Sequence, residues 1–233
     1  MEFTFDYLEN QLKFLLNAGY EFCTCTEYLE RKIKPVNKLV VNRVDIDFKM
    51  PKTRYILDIF ERLGIRGTFF VRMHAPEYNL FDFENYRILK RALSGGNEIG
   101  YHSEVEDQAA IWAEDSESCL RRDIDVLNRI LEIKINGVAS HNGMTGLNNL
   151  DFWKSRKPSD FGLLYEAYDS RSFGLFDNSL YISDSEWTRW KCYNNGKLSE
   201  GDRRSPAEHA ADSPNLIYLL THPDTYYFKH FYE

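Results

Sequence analysis

Residues 38–47 read Lys-Leu-Val-Val-Asn-Arg-Val-Asp-Ile-Asp, and this stretch decides the fold class. Its apolar and β-branched residues predict a strand buried in a sheet, with two carboxylates at the carboxyl end of that strand. Residues 51–63 carry apolar side chains at helical spacing, Gly64 marks the end of that helix, and residues 65–72 form the next strand. A strand, a helix and a strand in this order predict parallel strands joined by a right-handed crossover.

The same alternation continues toward the carboxyl terminus. Helices are predicted at 83–93 and 117–131, and the further strands are 98–101, 135–140, 163–168, 180–182 and 216–221. We therefore expect one α/β domain with about seven parallel strands, arranged as a (β/α) barrel or as an open sheet. Residues 1–36, with an amphipathic helix and a short strand, are expected to pack on a main catalytic domain of residues 37–233.

Composition narrows the function classes. The chain has 233 residues, 43% of them hydrophobic, and a formal net charge of -7, so a nucleic-acid partner is a poor first hypothesis. The amino terminus lacks the basic patch and apolar run of a signal peptide, and no apolar run is long enough to span a membrane. We therefore expect a cytoplasmic protein whose four cysteines are reduced, with a pairing of Cys119 and Cys192 as the alternative.

Carboxylates and imidazoles occur at or just after the carboxyl ends of several predicted strands. These residues are Asp45, Asp47, His102, His141 and His222. In sheets of parallel strands the carboxyl ends meet on one face, so these side chains are predicted to share a site. Asp45 and Asp47 are two residues apart and therefore lie on the same face of their strand.

The residues after the strand at 98–101 suggest a metal site. His102 and Glu106 have the i,i+4 spacing that places two ligands on one face of a helix. An acidic helix start, in which carboxylates favour the positive end of the helix dipole, is the alternative explanation for Glu106. Glu104 and His141 remain alternatives for the third ligand beside Asp47 and His102.

Four segments in this order resemble the motifs of the polysaccharide deacetylase (NodB-homology) family. They are Arg43-Val-Asp-Ile-Asp47, Gly67-Thr-Phe-Phe-Val71, Glu98-Ile-Gly-Tyr-His-Ser103 and Leu220-Thr-His-Pro223, within residues 38–224. The resemblance implies a distorted (β/α) barrel and metal-dependent removal of N- or O-acetyl groups from sugars. It also implies that Asp45 is the general base, that Asp47 and His102 bind the metal, and that His222 is the general acid.

The chain departs from the family pattern at two places. Glu106 stands where a second histidine is usual, and Ser140-His141-Asn142-Gly143 stands where an arginine-containing motif is usual. His141 is therefore expected either to complete the metal site or to bind substrate, and the partner of Asp45 is left open. Further residues are expected to line a sugar cleft, and these are Asn142, Glu166, Asp169, Asp184, Trp187 and Trp190. Core packing and surface solvation are the default explanations for the last five.

These observations predict a metal-dependent carbohydrate deacetylase. Zinc is the expected ion, and manganese, cobalt and iron(II) suit the same ligands. The expected substrate is a carbohydrate or a nucleotide-linked or lipid-linked sugar used in surface-glycan assembly. Two alternatives stay open: a glycosyltransferase that uses Asp-x-Asp to hold a metal, and a carbohydrate-binding module that has lost catalysis on the same scaffold.

Overall fold

The computed structural model describes residues 2–31 and 38–230. The strands in these ranges are β1 Glu21–Cys23, β2 Leu39–Ile46, β3 Thr68–Val71, β4 Glu98–Ser103, β5 Gly137–Ser140, β6 Tyr165–Glu166, β7 Leu180–Ser183, β8 Lys191–Asn194, β9 Lys197–Leu198 and β10 Leu216–Thr221. The α-helices are α1 Phe5–Asn17, α2 Cys25–Glu30, α3 Thr53–Leu63, α4 Phe83–Ser94, α5 Val105–Trp112, α6 Ser116–Leu131 and α7 Pro206–Ala210. Of the helices in the described ranges, none combines the length and the apolar character that crossing a bilayer requires.

The described strands form one sheet in the order β6-β5-β4-β3-β2-β10-β7-β8-β9, and β1 pairs with β2 outside this path. The strands from β6 to β7 in this order are parallel, whereas β8 and β9 continue the sheet as an antiparallel hairpin. The prediction of about seven parallel strands in one α/β domain is therefore confirmed.

Strand β2 lies at the centre of the sheet, and all of its residues are buried. Because side chains alternate along a strand, Val40 and Val44 pack outward with α3, whereas Leu39 and Val41 pack inward. The same alternation places Arg43 and Asp45 on the inward face. A charged pair, Arg43 and Asp45, therefore lies on the inside of the curved sheet.

The sheet curls so that its inward side chains meet. Tyr165 in β6, Tyr181 in β7 and Tyr218 in β10 belong to one buried cluster, although β6 and β7 are at opposite ends of the parallel run. The hydroxyl of Tyr168, just after β6, lies 3.2 Å from the hydroxyl of Tyr181. Within the described residues no backbone hydrogen bonds pair β6 with β7, and we call the gap between these two strands the seam.

The amino-terminal segment packs tightly on the rest of the molecule. The apolar face of α1, which includes Leu8 and Leu12, belongs to the same buried cluster as Val40 and Ile56. Strand β1 pairs in parallel with the first residues of β2. The predicted boundary between residues 36 and 37 lies outside the described residues, so the division into 1–36 and 37–233 stays a prediction.

Glu98 ties α2 to the amino-terminal edge of the sheet. Its carboxylate accepts hydrogen bonds from the backbone N–H and the hydroxyl of Thr26, at 3.0 and 2.7 Å. It also accepts hydrogen bonds from the hydroxyls of Thr68 and Tyr165, at 2.7 and 2.8 Å. One carboxylate therefore joins α2 to three strands, since Glu98 begins β4.

Candidate metal centre and active site

Three potential metal ligands meet at the carboxyl end of the sheet. Asp47 follows β2, His102 lies in β4 and His141 follows β5. One ligand atom from each of the three side chains lies within 4.8 Å of the others. All three residues line a cavity of about 570 Å³, which is large enough for a sugar-sized ligand.

His102 is oriented by a backbone contact. Its Nδ1 lies 2.8 Å from the carbonyl oxygen of Ala139 in the neighbouring strand, so Nδ1–H donates to that oxygen. Nε2 then faces the carboxylates of Asp47 and Asp45, at 3.2 and 3.4 Å. A backbone carbonyl that fixes the tautomer of a histidine is typical of metal ligands.

The residues present fit a divalent cation. Asp47 Oδ1 and His141 Nδ1 are both buried, and neither makes a hydrogen bond of standard geometry within the described residues. Their nearest ionic neighbours are His102 Nε2, 3.2 Å from Asp47 Oδ1, and Glu104 Oε1, 3.4 Å from His141 Nδ1. Buried polar atoms without good hydrogen bonds are costly, and a cation next to Asp47 would satisfy its carboxylate. Burial raises the pKa of Asp47, but the imidazoles of His102 and His222 outweigh it, so the carboxyl remains ionised well below its usual range.

Glu106 does not join this cluster, and the helical geometry expected for it is wrong. His102 lies in β4, which continues to Ser103, and α5 begins only at Val105. Pairing of His102 with Ala139 and of Ser103 with Ser140 keeps this segment extended. His102 and Glu106 therefore share no helical face, and Glu106 lies outside the cavity lining.

Glu104 stands behind His141 instead. Its Oε1 accepts hydrogen bonds from Nε and Nη2 of Arg72, at 3.1 and 2.7 Å, and lies 3.4 Å from His141 Nδ1. Nη1 of Arg72 donates to the backbone oxygen of Asp47 at 2.8 Å. Burial raises the pKa of Glu104, but the contacts with His141 and Arg72 lower it by more than burial raises it, so the carboxylate is ionised. This pair supports the loops that carry Asp47 and His141.

Asp45 is buried and paired with Arg43 through two hydrogen bonds of 2.8 and 2.6 Å. The guanidinium lies 4.6 Å from the centre of the Tyr168 ring and 5.2 Å from that of Phe70. Burial raises the pKa of Asp45, but the charges of Arg43 and His102 lower it more. Arg43 is thus the partner of Asp45 that the sequence left open, and the i,i+2 spacing on a strand was the available signal.

His222 is held by Asp184, which follows β7. His222 Nδ1 lies 2.6 Å from Asp184 Oδ1, and the backbone N–H of His222 donates to Asp184 Oδ2 at 3.0 Å. Burial lowers the pKa of His222, but Asp184 outweighs it and raises the pKa to about 9. The other ring nitrogen, Nε2, lies 3.8 Å from Asp47 Oδ2, so the imidazole faces the metal cluster.

Comparison with known proteins identifies the fold. No protein-family model and no curated protein sequence matches the chain. Among solved structures, a CE4 esterase of Streptococcus mutans is similar to this chain, with 16% sequence identity and a TM-score of 0.52. The superposition covers 84% of this chain and 78% of the esterase chain. The chain has the CE4 deacetylase fold. The resemblance inferred from the four motifs is thereby confirmed at the level of the fold.

Two other CE4-fold neighbours match less closely. A deacetylase of Streptococcus pyogenes, solved with acetate, matches 59% of this chain and 62% of its own, with 17% identity and a TM-score of 0.46. A CE4 family pseudoenzyme of Bacillus anthracis matches 82% of this chain and 56% of its own, with 14% identity and a TM-score of 0.46. The chain therefore spans about six-tenths of the length of these two neighbours.

The CE4 fold places the remaining predicted site residues in different surroundings. Asn142 lines the cavity, whereas Asp184 and Glu166 are buried outside its lining. Glu166 accepts hydrogen bonds from the backbone N–H groups of Ser140 and Tyr168, at 3.1 and 2.8 Å, and burial raises its pKa. It supports the loops after β5 and β6 rather than presenting an oxygen to the cavity.

Trp190 is a core residue, contrary to the expectation that it lines the cleft. It is fully buried, lies outside the cavity lining, and its Nε1–H donates to the hydroxyl of Tyr7 at 2.9 Å. Trp187 lies in the lining and stacks on Phe48 at 6.1 Å between ring centres. The sequence interpretation also missed further lining residues, because local spacing does not show which strand ends and loops meet at the cavity; these are Arg43, Phe48, Arg72, Tyr168 and Tyr181.

Proposed function

We propose that the protein is a metal-dependent hydrolase that removes an N- or O-acetyl group from a carbohydrate. The observation that carries this proposal is the meeting of one metal-ligand cluster, one ion-paired carboxylate and one carboxylate-bound imidazole in a single cavity. The cluster is Asp47, His102 and His141, and the other two groups are Asp45 and His222.

Asp47, His102 and His141 would hold a divalent ion, and zinc fits one carboxylate and two imidazoles well. When bound, such an ion supplies Lewis-acid polarisation of the acyl carbonyl and acidifies the attacking water. Manganese, cobalt and iron(II) accept the same ligands. Asp47 Oδ1 supports this assignment, because it is buried, makes no hydrogen bond of standard geometry within the described residues and lies 3.2 Å from His102 Nε2.

Asp45 is the proposed general base. Its Oδ2 lies 3.4 Å from His102 Nε2, next to the metal cluster, and Arg43 holds the carboxylate in one orientation. The lowered pKa of Asp45 keeps it unprotonated at neutral pH, so it is ready to accept the proton of the attacking water. The same ion pair limits its basicity, and the nearby imidazole of His102 adds to that effect.

His222 is the proposed general acid. The raised pKa of about 9 keeps the imidazole protonated at neutral pH, and its Nδ1–H donates a hydrogen bond to Asp184. The proton on Nε2 faces the cavity and is available to the leaving amine or hydroxyl. Asp184 therefore orients the ring and stabilises its charge, which is a positioning role.

Aromatic side chains support a carbohydrate as the substrate class. Phe48 and Trp187 form a stacked pair in the lining, and Tyr168 and Tyr181 face the cavity from the seam. Aromatic rings of this kind pack on the apolar faces of pyranose rings. Within this class we propose a nucleotide-linked or lipid-linked acetamido sugar of surface-glycan assembly as the natural substrate.

A carbohydrate-binding protein without catalysis is the second candidate. The tight pairing of Asp45 with Arg43 favours it, because a carboxylate whose pKa is lowered is a weak base. A glycosyltransferase is less well supported, since it gives no role to the contact between His222 and Asp184. Metal binding without turnover would distinguish the second candidate from the first.

The test is release of acetate from a panel of N-acetylated and O-acetylated sugars, free and nucleotide-linked, by the zinc-loaded protein. We expect turnover in the wild type. His102→Ala should lose both the turnover and the ion in the cavity, whereas His74→Ala, outside the cavity lining, should retain both. His222→Ala should retain the metal and lose roughly 10²–10⁴-fold in rate, the usual contribution of a positioned acid. Bound metal with no acetate from any substrate would support the binding protein instead.

A further inference from the structure

A second group of metal-ligating side chains lies away from the cavity. It consists of Cys192 in β8, Asp202 after β9 and His209 in α7, and one ligand atom from each lies within 4.8 Å of the others. None of the three lines the cavity. Cys192 packs with the outer cluster that includes Ala210, so this group lies between the sheet and α7.

One ring nitrogen of His209 faces both of the other groups. His209 Nε2 lies 3.2 Å from Cys192 Sγ and 3.6 Å from Asp202 Oδ1. A single N–H can serve only one of these acceptors, and 3.6 Å is too long for a hydrogen bond. A thiol, an imidazole nitrogen and a carboxylate thus converge on one point, which is the arrangement of a cation site.

The carboxylate of Asp202 is already held in position. The backbone N–H and Nε of Arg204 donate to Asp202 Oδ1, both at 3.1 Å, and Nη2 donates to Oδ2 at 2.9 Å. Hydrogen bonds of this kind orient the ligating carboxylates of metal sites. The backbone oxygen of Arg204 lies 3.7 Å from Cys192 Sγ, which adds another oxygen next to the three side chains.

We propose that Cys192, Asp202 and His209 form a zinc site that is separate from the cavity and fastens the β8–β9 hairpin to α7. Thiolate, imidazole and carboxylate are the ligand types of zinc, and sulfur disfavours magnesium and calcium. Cys192 and His209 are almost fully buried, so the site is closed to substrate and has a structural role. Asp202 is partly exposed and gives the ion a route in.

Cobalt(II) provides a direct readout of the sulfur ligand. The experiment uses the full chain as the His102→Ala variant, in which the cavity site is disabled, and records near-ultraviolet absorption during titration with cobalt(II). We expect a thiolate-to-cobalt charge-transfer band that saturates at one ion per chain. Addition of Cys192→Ser should remove the band, and Cys119→Ser, at another buried free cysteine, should leave it unchanged.

A second pair of variants keeps the test decisive if Cys192→Ser does not fold. His209→Gln should abolish saturable binding, and Arg204→Ala should weaken it roughly 10–100-fold while the band persists, because Arg204 only orients Asp202. Absence of the band in the folded His102→Ala protein would overturn the proposal. So would a band that persists in Cys192→Ser, or full affinity in folded His209→Gln.

Discussion

Among single residues, the charged groups of the site are held in ion pairs. Arg43 holds Asp45, Asp184 holds His222, and Arg72 holds Glu104. Each pair is buried, so removal of one member leaves the other charge without a partner in a low-dielectric interior. The pairs therefore connect stability to chemistry, and substitutions in them should change both.

Arg43→Gln should lower the free energy of unfolding by about 3–5 kcal/mol, the usual result of breaking a buried ion pair from one side. It should also raise the pKa of Asp45, because burial then acts without the opposing guanidinium. Urea unfolding and the acid limb of the pH–rate profile are the measurements. Arg87→Gln, which breaks an exposed ion pair with Glu84, is the control. An unchanged acid limb would show that Asp45 is not the base.

His141→Ala should abolish stoichiometric metal binding at the cavity, whereas Glu106→Gln should leave it intact. The reason is geometric, since His141 joins the ligand cluster and Glu106 does not. Both variants are made in the Cys192→Ser protein, which lacks the proposed second site, and the metal content of each is measured after dialysis. Loss of metal in Glu106→Gln but not in His141→Ala would restore the ligand set expected from sequence.

The pairing of His222 with Asp184 should make stability depend on pH in the metal-free protein. The pKa of His222 is raised from 6.5 to about 9, so between these values the folded chain binds more protons than the unfolded chain. The contribution of His222 to the free energy of unfolding is fully present below pH 6.5 and is lost as the pH rises through about 9. Denaturant titrations of wild type and His222→Gln across this range measure it, and parallel curves for the two proteins would contradict it.

At the scale of elements, sequence patterns predicted the order of strands and helices but not every end. His102 fits either the start of a helix or the end of a strand, because only its pairing with Ala139 in β5 decides between them. That pairing is a contact between residues far apart in the chain, which local spacing does not encode. Trp187 and Trp190 pose the same problem. They are only three positions apart in the chain, but Trp187 lines the cavity and Trp190 is buried in the core.

Glu98→Ala should destabilise the contact between α2 and the sheet. Four hydrogen bonds to this carboxylate would be lost, and leaving even one buried donor unsatisfied costs about 1–3 kcal/mol. Hydrogen exchange of the α2 amides should increase together with the loss in unfolding free energy. Glu30→Ala, at the exposed end of α2, is the matched control. Equal protection of α2 in the two variants would argue against this role of Glu98.

At the scale of the whole molecule, the sequence predicted that Asp45, Asp47, His102 and His222 share one face, because parallel strands present their carboxyl ends together. It did not predict the curl of the sheet or the partners behind each group, since these depend on how distant strands approach. It predicted Cys192 as a reduced structural thiol or a partner of Cys119, because local spacing does not show that Asp202 and His209 lie close to it in the fold.

The seam between β6 and β7 makes one wall of the cavity different in kind from the others. Tyr168 and Tyr181 meet there at 3.2 Å between their hydroxyls, and both rings pack on Phe176, whereas every other pair of neighbouring strands in the parallel run is joined by a ladder of backbone hydrogen bonds. Side chains can repack without breaking a ladder. The wall at the seam is therefore the part of the cavity whose shape a substitution changes with the least cost to the sheet.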